Sequence, residues 1–166
     1  MKPNLLNLTA FLLILAGIVT SCKDKVTDEK ESIYPIDVPF EEYSLEGSGC
    51  EWIEIHNKPY FPYYSDLLMI NSNKELEKYI KCSEGESYPA INFSTQTLLI
   101  AYGVQGHFVI PNYRTLQQLS KQNYEMLVNL EPYANSVITE WQDAIIVNKI
   151  LDGTHIELII TKEIEL

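Results

Sequence analysis

The sequence predicts an α+β fold: mostly antiparallel β, as a sandwich or partly open barrel, with one main helix near residues 73–81. Three observations carry this. Short apolar runs rich in β-branched and aromatic residues recur between polar clusters, which is the pattern of strands rather than helices. One run, Tyr124 to Leu130, alternates strictly enough to read as a half-buried strand. A single segment, from Ser72 on, carries the start signal and apolar spacing of a helix.

Cys50 to His56 is short and rich in β formers, and Leu67 to Ile70 is a brief apolar run before a polar cluster. Ser72-Asn73-Lys74-Glu75 has capping-box spacing: Ser72 can accept from the third residue's N–H while Glu75 reaches back. Leu76, Tyr79 and Ile80 then fall on one helical face, and Lys78 and Lys81 suit the negative end of the dipole. Pro89 to Ser94 leads into Thr97–Tyr102, a run apolar enough to be a central strand covered on both faces. Leu116–Leu119 fits either a strand end or a helical turn. Ala144–Val147 and Ile156–Ile160 complete the set of strands. Leu151-Asp152-Gly153-Thr154 between them signals a hairpin, because glycine tolerates the positive φ of a tight turn.

The first residues are of another kind. Met1–Lys2 supplies one charge, and Leu5 to Val19 is apolar except for Asn7, Thr9 and Gly17. A membrane span needs about 20 apolar residues; this run fits a secretory signal instead. Val19-Thr20-Ser21-Cys22 closes it, and the four residues resemble the lipobox of bacterial lipoproteins. The resemblance implies that residues 1–21 are a removed signal peptide and that Cys22 becomes the lipidated N-terminus, an anchor to the membrane. A single acyl chain binds a bilayer marginally, at about 0.8 kcal/mol per buried CH₂, whereas two or more hold it stably. The alternatives are an uncleaved membrane helix or a plain signal peptide with a coincidental cysteine. Residues 23–31 are charged and lack core formers, so residues 22–39 read as a tether spanning roughly 20–25 Å. Residues 40–166 are then one β-rich domain by length. Lys23-Asp24 resembles the surface-export signals of Bacteroidetes lipoproteins, which leaves both the cell surface and the periplasmic face of the outer membrane open.

The full chain carries 23 acidic and 12 basic residues, a net charge of −11. Phosphate backbones repel such a surface, so nucleic acid is excluded as a partner. The acidity serves solubility or matches a basic partner. Cys50 and Cys82 remain beside Cys22. Outside the cytoplasm they are expected to form a disulfide, with two independent buried thiols as the alternative.

No stretch carries a catalytic signature. His56, His107 and His155 are too widely spaced for a metal motif. Gly47-Ser48-Gly49 lacks the frame of a nucleophile elbow, and Gly103 to Gly106 lacks the lysine and third glycine of a phosphate loop. With so many acids, a carboxylate pair at glycosidase distance carries no weight. More informative is Lys58-Pro59-Tyr60-Phe61-Pro62-Tyr63-Tyr64, where two prolines stiffen an aromatic loop. Tyr60, Phe61, Tyr63 and Tyr64 could present flat faces to a peptide or a sugar, or plug the end of the core. Gly103 to Asn112, with His107, Phe108 and Tyr113 nearby, is a second contact loop.

The order "INSNKELEKYI", "INFSTQTLLIAYG", "YEMLVNL", "WQDAIIVNKI" resembles small uncharacterised Bacteroidetes lipoproteins. In these an Ile-Asp-Phe-Ser segment leads into a strand ending Leu-Leu-x-Ala-Tyr-Gly. More distantly it is similar to the C-terminal β domain of PrcB-type protease-complex accessory lipoproteins. The likeness covers roughly residues 50–161. Those accessory domains commonly carry a Thr-Gly-Gly-Tyr-like loop where this chain has Gly103 to Phe108. The resemblance implies a β-rich fold in the cell envelope and supplies no catalytic residue. Together these readings predict a lipid-anchored, non-catalytic binding or accessory module, without cofactor or metal, that meets a protein partner through loops 58–65 and 103–113. Glycan binding by the same tyrosines is the alternative, and a hydrolase the third reading.

Overall fold

A computed structural model describes residues 33–53, 55, 59, 62–133 and 136–162. Cys22, the expected signal peptide and the first part of the tether lie outside the described residues, as do His56, Lys58, Tyr60 and Phe61.

The strands are β1 (Ile36–Asp37), β2 (Phe40–Glu42), β3 (Cys50–Trp52), β4 (Tyr64–Ile70), β5 (Ile80–Cys82), β6 (Gln96–Gln105), β7 (Val109–Ser120), β8 (Asn123–Pro132), β9 (Thr139–Asn148) and β10 (His155–Thr161). One helix, α1 (Asn73–Leu76), precedes β5. Two four-stranded sheets run in the orders β1-β7-β8-β10 and β2-β9-β6-β4, and β3 pairs with β5 in a separate ribbon. Every pairing is antiparallel except that of β10 with β8. This is the sandwich-like, mostly antiparallel β fold that the alternating runs predict.

β6 explains the layering. Successive side chains of a strand point to opposite faces. Leu99 and Ala101 pack with Leu116 of β7 and Met126, Val128 and Leu130 of β8, filling the space between the two sheets. Leu98, Ile100 and Tyr102 pack the other way, with Leu76, Ile80, Tyr43 and Ile91, so the ribbon and α1 form a third layer over the β6 sheet. The unbroken apolar character of Thr97–Tyr102 records this double coverage. Leu116–Leu119, ambiguous in sequence, lies within β7.

Three local expectations change. The helix ends at Leu76, not residue 81. Its cap forms as the sequence implies: Glu75 N–H donates to Ser72 Oγ at 3.3 Å. The Glu75 carboxylate reaches one residue further back than a capping box requires, accepting from Asn71 N–H at 3.2 Å. Ile80 then starts a strand, because Cys50, Glu51 and Trp52 pair with Cys82, Lys81 and Ile80. The cross-strand disulfide Cys50–Cys82 holds that register. The apolar face survives the change, since Leu76 and Ile80 remain buried and Tyr79 packs beside them. Second, Asp152-Gly153 makes a tight turn, with Gly153 at φ +82° and Thr154 N–H bonded to Leu151 O, but not a hairpin. β9 already has β2 and β6 on its two edges, so β10 crosses to the other sheet and pairs with β8. Third, Ile36–Asp37, assigned to the tether by composition, pair with Gln118 and Gln117 of β7.

A polar knot secures the end where β6 begins. Thr97 is fully buried; its hydroxyl donates to Asn71 Oδ1 at 2.6 Å and accepts from Ile150 N–H at 2.9 Å. Lys149 Nζ donates to Asn71 Oδ1 and to Phe93 O, both at 2.9 Å. Four chain segments are joined by groups that would otherwise be buried without partners.

Two stability outcomes follow. Thr97→Val keeps the shape but leaves Ile150 N–H without its acceptor, so denaturant unfolding should show a loss of about 1–3 kcal/mol. Replacing Cys50 and Cys82 together by alanine opens a loop with a sequence separation of 32 and should cost roughly 3–4 kcal/mol by the same measurement. The mass after alkylation without reductant should be unchanged at both cysteines.

Candidate functional site

Loops from both sheets meet at the end of the sandwich opposite the polar knot. The pairing of Tyr64 with Val104 brings Tyr63 beside the β6–β7 turn. Gln105 faces Thr139, which brings in the segment before β9. Val109 faces Pro132, and Tyr133 N–H donates to Phe108 O at 2.8 Å, which fixes the start of the β8–β9 loop.

This end is unusually apolar. Tyr63, Phe108, Ile110, Tyr133, Val137 and Ile138 are all exposed there, with Tyr113 one step further along β7. Ile33, Ile36, Leu119 and Leu151, the other exposed large apolar residues described, lie elsewhere. The Phe108 and Tyr133 rings meet edge to face with centroids 5.5 Å apart, a favoured aromatic geometry. The ring of Tyr63 lies over Gly106: a Cβ there would sit 2.6 Å from the tyrosine oxygen and 2.7 Å from Cζ. A side chain at Gly106 would therefore displace the Tyr63 ring from this position.

The sequence-predicted residues thus separate. Tyr63, His107 and Phe108 share this exposed end. Tyr64 does not join them; it packs against the core, its ring edge-on to Tyr102 at 6.2 Å. Tyr60 and Phe61 lie outside the described residues. Ile110 falls within the predicted contact loop 103–113, whereas Tyr133, Val137 and Ile138 lie outside both predicted loops, because strand pairing rather than sequence proximity brings them to the turn. The signal that could have found them is a run of apolar residues between two strands with no periodicity of its own.

Other features are structural in character. His107 and His155 lie at opposite ends of the sandwich, and among the described residues no three His, Cys, Asp or Glu come together for a metal ion. Arg114 Nη1 lies 3.4 Å from Asp143 Oδ1, and its Nη2 contacts Glu42. Burial raises the Asp143 pKa, Arg114 opposes that rise and Glu42 adds to it. The cluster ties β7 to β9 and β2. An open concavity of about 860 Å³ between the Ser44–Gly49 turn, β3 and the start of β9 carries Glu46, Glu51 and Glu140 on its walls. It contains none of the predicted contact residues.

No protein family, curated protein or solved structure matches the chain. Among the described residues no helix is long and apolar enough to cross a membrane.

Beneath this end, Tyr102 has its hydroxyl pKa pushed up to about 12 by burial first and then by Asp66, to which it hydrogen-bonds. Tyr43 is pushed up to about 12 by burial and then by Tyr88, while its hydroxyl donates to Pro89 O. Both pKa values are raised, so the stability these hydroxyls contribute is complete below pH 10 and is lost as the pH climbs through about 12. Spectrophotometric titration should show two tyrosines ionising last, one of them absent in Tyr102→Phe, with alkaline unfolding beginning in the same window.

Proposed function

We propose that the chain is a lipid-anchored envelope lipoprotein whose domain is a non-catalytic binding or accessory module, and that it holds a protein partner through the apolar loop end. The observation that carries this is that Tyr63, Phe108, Ile110, Tyr133, Val137 and Ile138 are all exposed at one end of the sandwich. Exposed apolar side chains mixed with aromatic rings are the composition of an interface core. Half of these residues are aliphatic, which supports a protein partner over the glycan alternative, because sugar sites combine rings with convergent polar groups.

The position of the patch supports the same reading. β1 runs antiparallel to β7, with Ile36 opposite Gln118, so the chain enters the domain beside the β7–β8 turn. The patch lies at the other end of β7, about 35 Å away at the rise of an extended strand. The chain therefore joins the folded domain at the end remote from the patch.

The test has two arms. Mass spectrometry of the mature N-terminal peptide should find Cys22 acylated. Phe108→Ser with Val137→Ser should release a partner cross-linked in intact envelopes while leaving thermal unfolding unchanged. An unmodified N-terminus removes the anchor. Retention of the cross-link by the double variant removes the patch. Loss of glycan-array signal in Tyr63→Ala, with the protein cross-link intact, transfers the tyrosines to the glycan alternative.

A further inference from the structure

The two sides of the sandwich treat their exposed strand edges differently. On one side the sheets end in β1 and β2, of two and three residues, next to Pro35 and Pro39. Very short edge strands and nearby prolines are how native sheets prevent further pairing. On the other side the sheets end in β4 and β10, each seven residues long. β10 contains no proline and follows β8 over its whole length without a register shift. Its second edge has no backbone partner among the described residues. No residue of β10 is fully buried, although four of the seven are aliphatic.

Between these edges lies an open seam of about 460 Å³. Leu67 and Met69 of β4 and Ile156 and Leu158 of β10 give it an apolar floor, and Asp66 and Glu157 give it acidic walls. From its face and edge this place specifies one kind of occupant. The free backbone edge asks for an extended chain. The alternation along β10, where Ile156, Leu158 and Ile160 turn inward and His155 and Glu157 are exposed, asks for side chains of period two. The Glu157 carboxylate asks for positive charge. A second copy of this chain fits poorly, because a protein of net charge −11 repels itself.

We propose that the β10 edge is a strand-addition site for an extended peptide segment that alternates apolar and basic residues. The bound segment extends the β8–β10 sheet, lays its apolar side chains over the seam and sets a lysine or arginine beside Glu157. This site is separate from the loop end and does not depend on it.

The test uses a labelled, acetylated and amidated peptide of alternating lysine and valine, with a glutamate–valine counterpart and a version N-methylated at alternate residues on the bonding edge. Fluorescence anisotropy with the chain from Cys22 onward should show saturable binding of the lysine peptide only. Glu157→Lys should weaken that peptide by about fivefold and bring the glutamate peptide up by a similar factor. Phe108→Ser should leave both unchanged. Equal binding of the N-methylated peptide would mean charge adsorption without strand pairing and would overturn the proposal. So would the absence of saturable binding, or a peptide preference that Glu157→Lys does not alter. A concentration-dependent dimer in sedimentation, abolished by Glu157→Lys, would make a second copy the occupant and likewise overturn it.

Discussion

The fold depends on one strand being covered on both faces and paired on both edges. β6 has β4 and β9 beside it, one sheet in front of it and the disulfide-tied ribbon with α1 behind it. Its nine residues from Thr97 to Gln105 are all buried. A backbone in that position has no water to fall back on, so every N–H and C=O must be paired within the sheet. That requirement sets the register of β4 and β9, and through them the positions of the loops at both ends.

The two ends meet the same constraint by opposite chemistry. Where β6 begins, polar groups converge: Thr97, Asn71 and Lys149 satisfy one another and the backbone of Phe93 and Ile150. A network of that kind is stabilising only when complete. Where β6 finishes, the turn is short, the flanking loops come from both sheets, and apolar side chains remain outside. The contrast separates an end tied by paired polar groups from an end open to contact. The same contrast appears between the sides, where short strands near prolines oppose two long regular ones.

The disulfide shows how tertiary pairing overrides a local preference. Residues 77–81 have the spacing and charges to continue a helix, and the apolar face they would have formed is buried in any case. Yet a helix through Ile80 would carry Cys82 away from Cys50 and leave β3 without a partner. Intrinsic helix preference amounts to tenths of a kcal/mol per residue, whereas the cross-link and ladder are worth several. The larger contribution decides, and the helix stops after one turn.

By itself the sequence determined the sheet class, the central strand, the half-buried β8 pattern and the start of α1, because these follow from side-chain period, apolar continuity and a local hydrogen bond. It also marked Tyr63, His107 and Phe108 as contact candidates, because proline, glycine and aromatic residues stand out in a linear reading. Only the tertiary structure decided that Tyr64 belongs to the core, that Tyr133, Val137 and Ile138 complete the exposed end, and that Asp152-Gly153 turns between sheets. Each of these rests on which strand lies beside which. Pairing is settled by competition for a limited number of free edges, and that competition is between segments far apart in the chain.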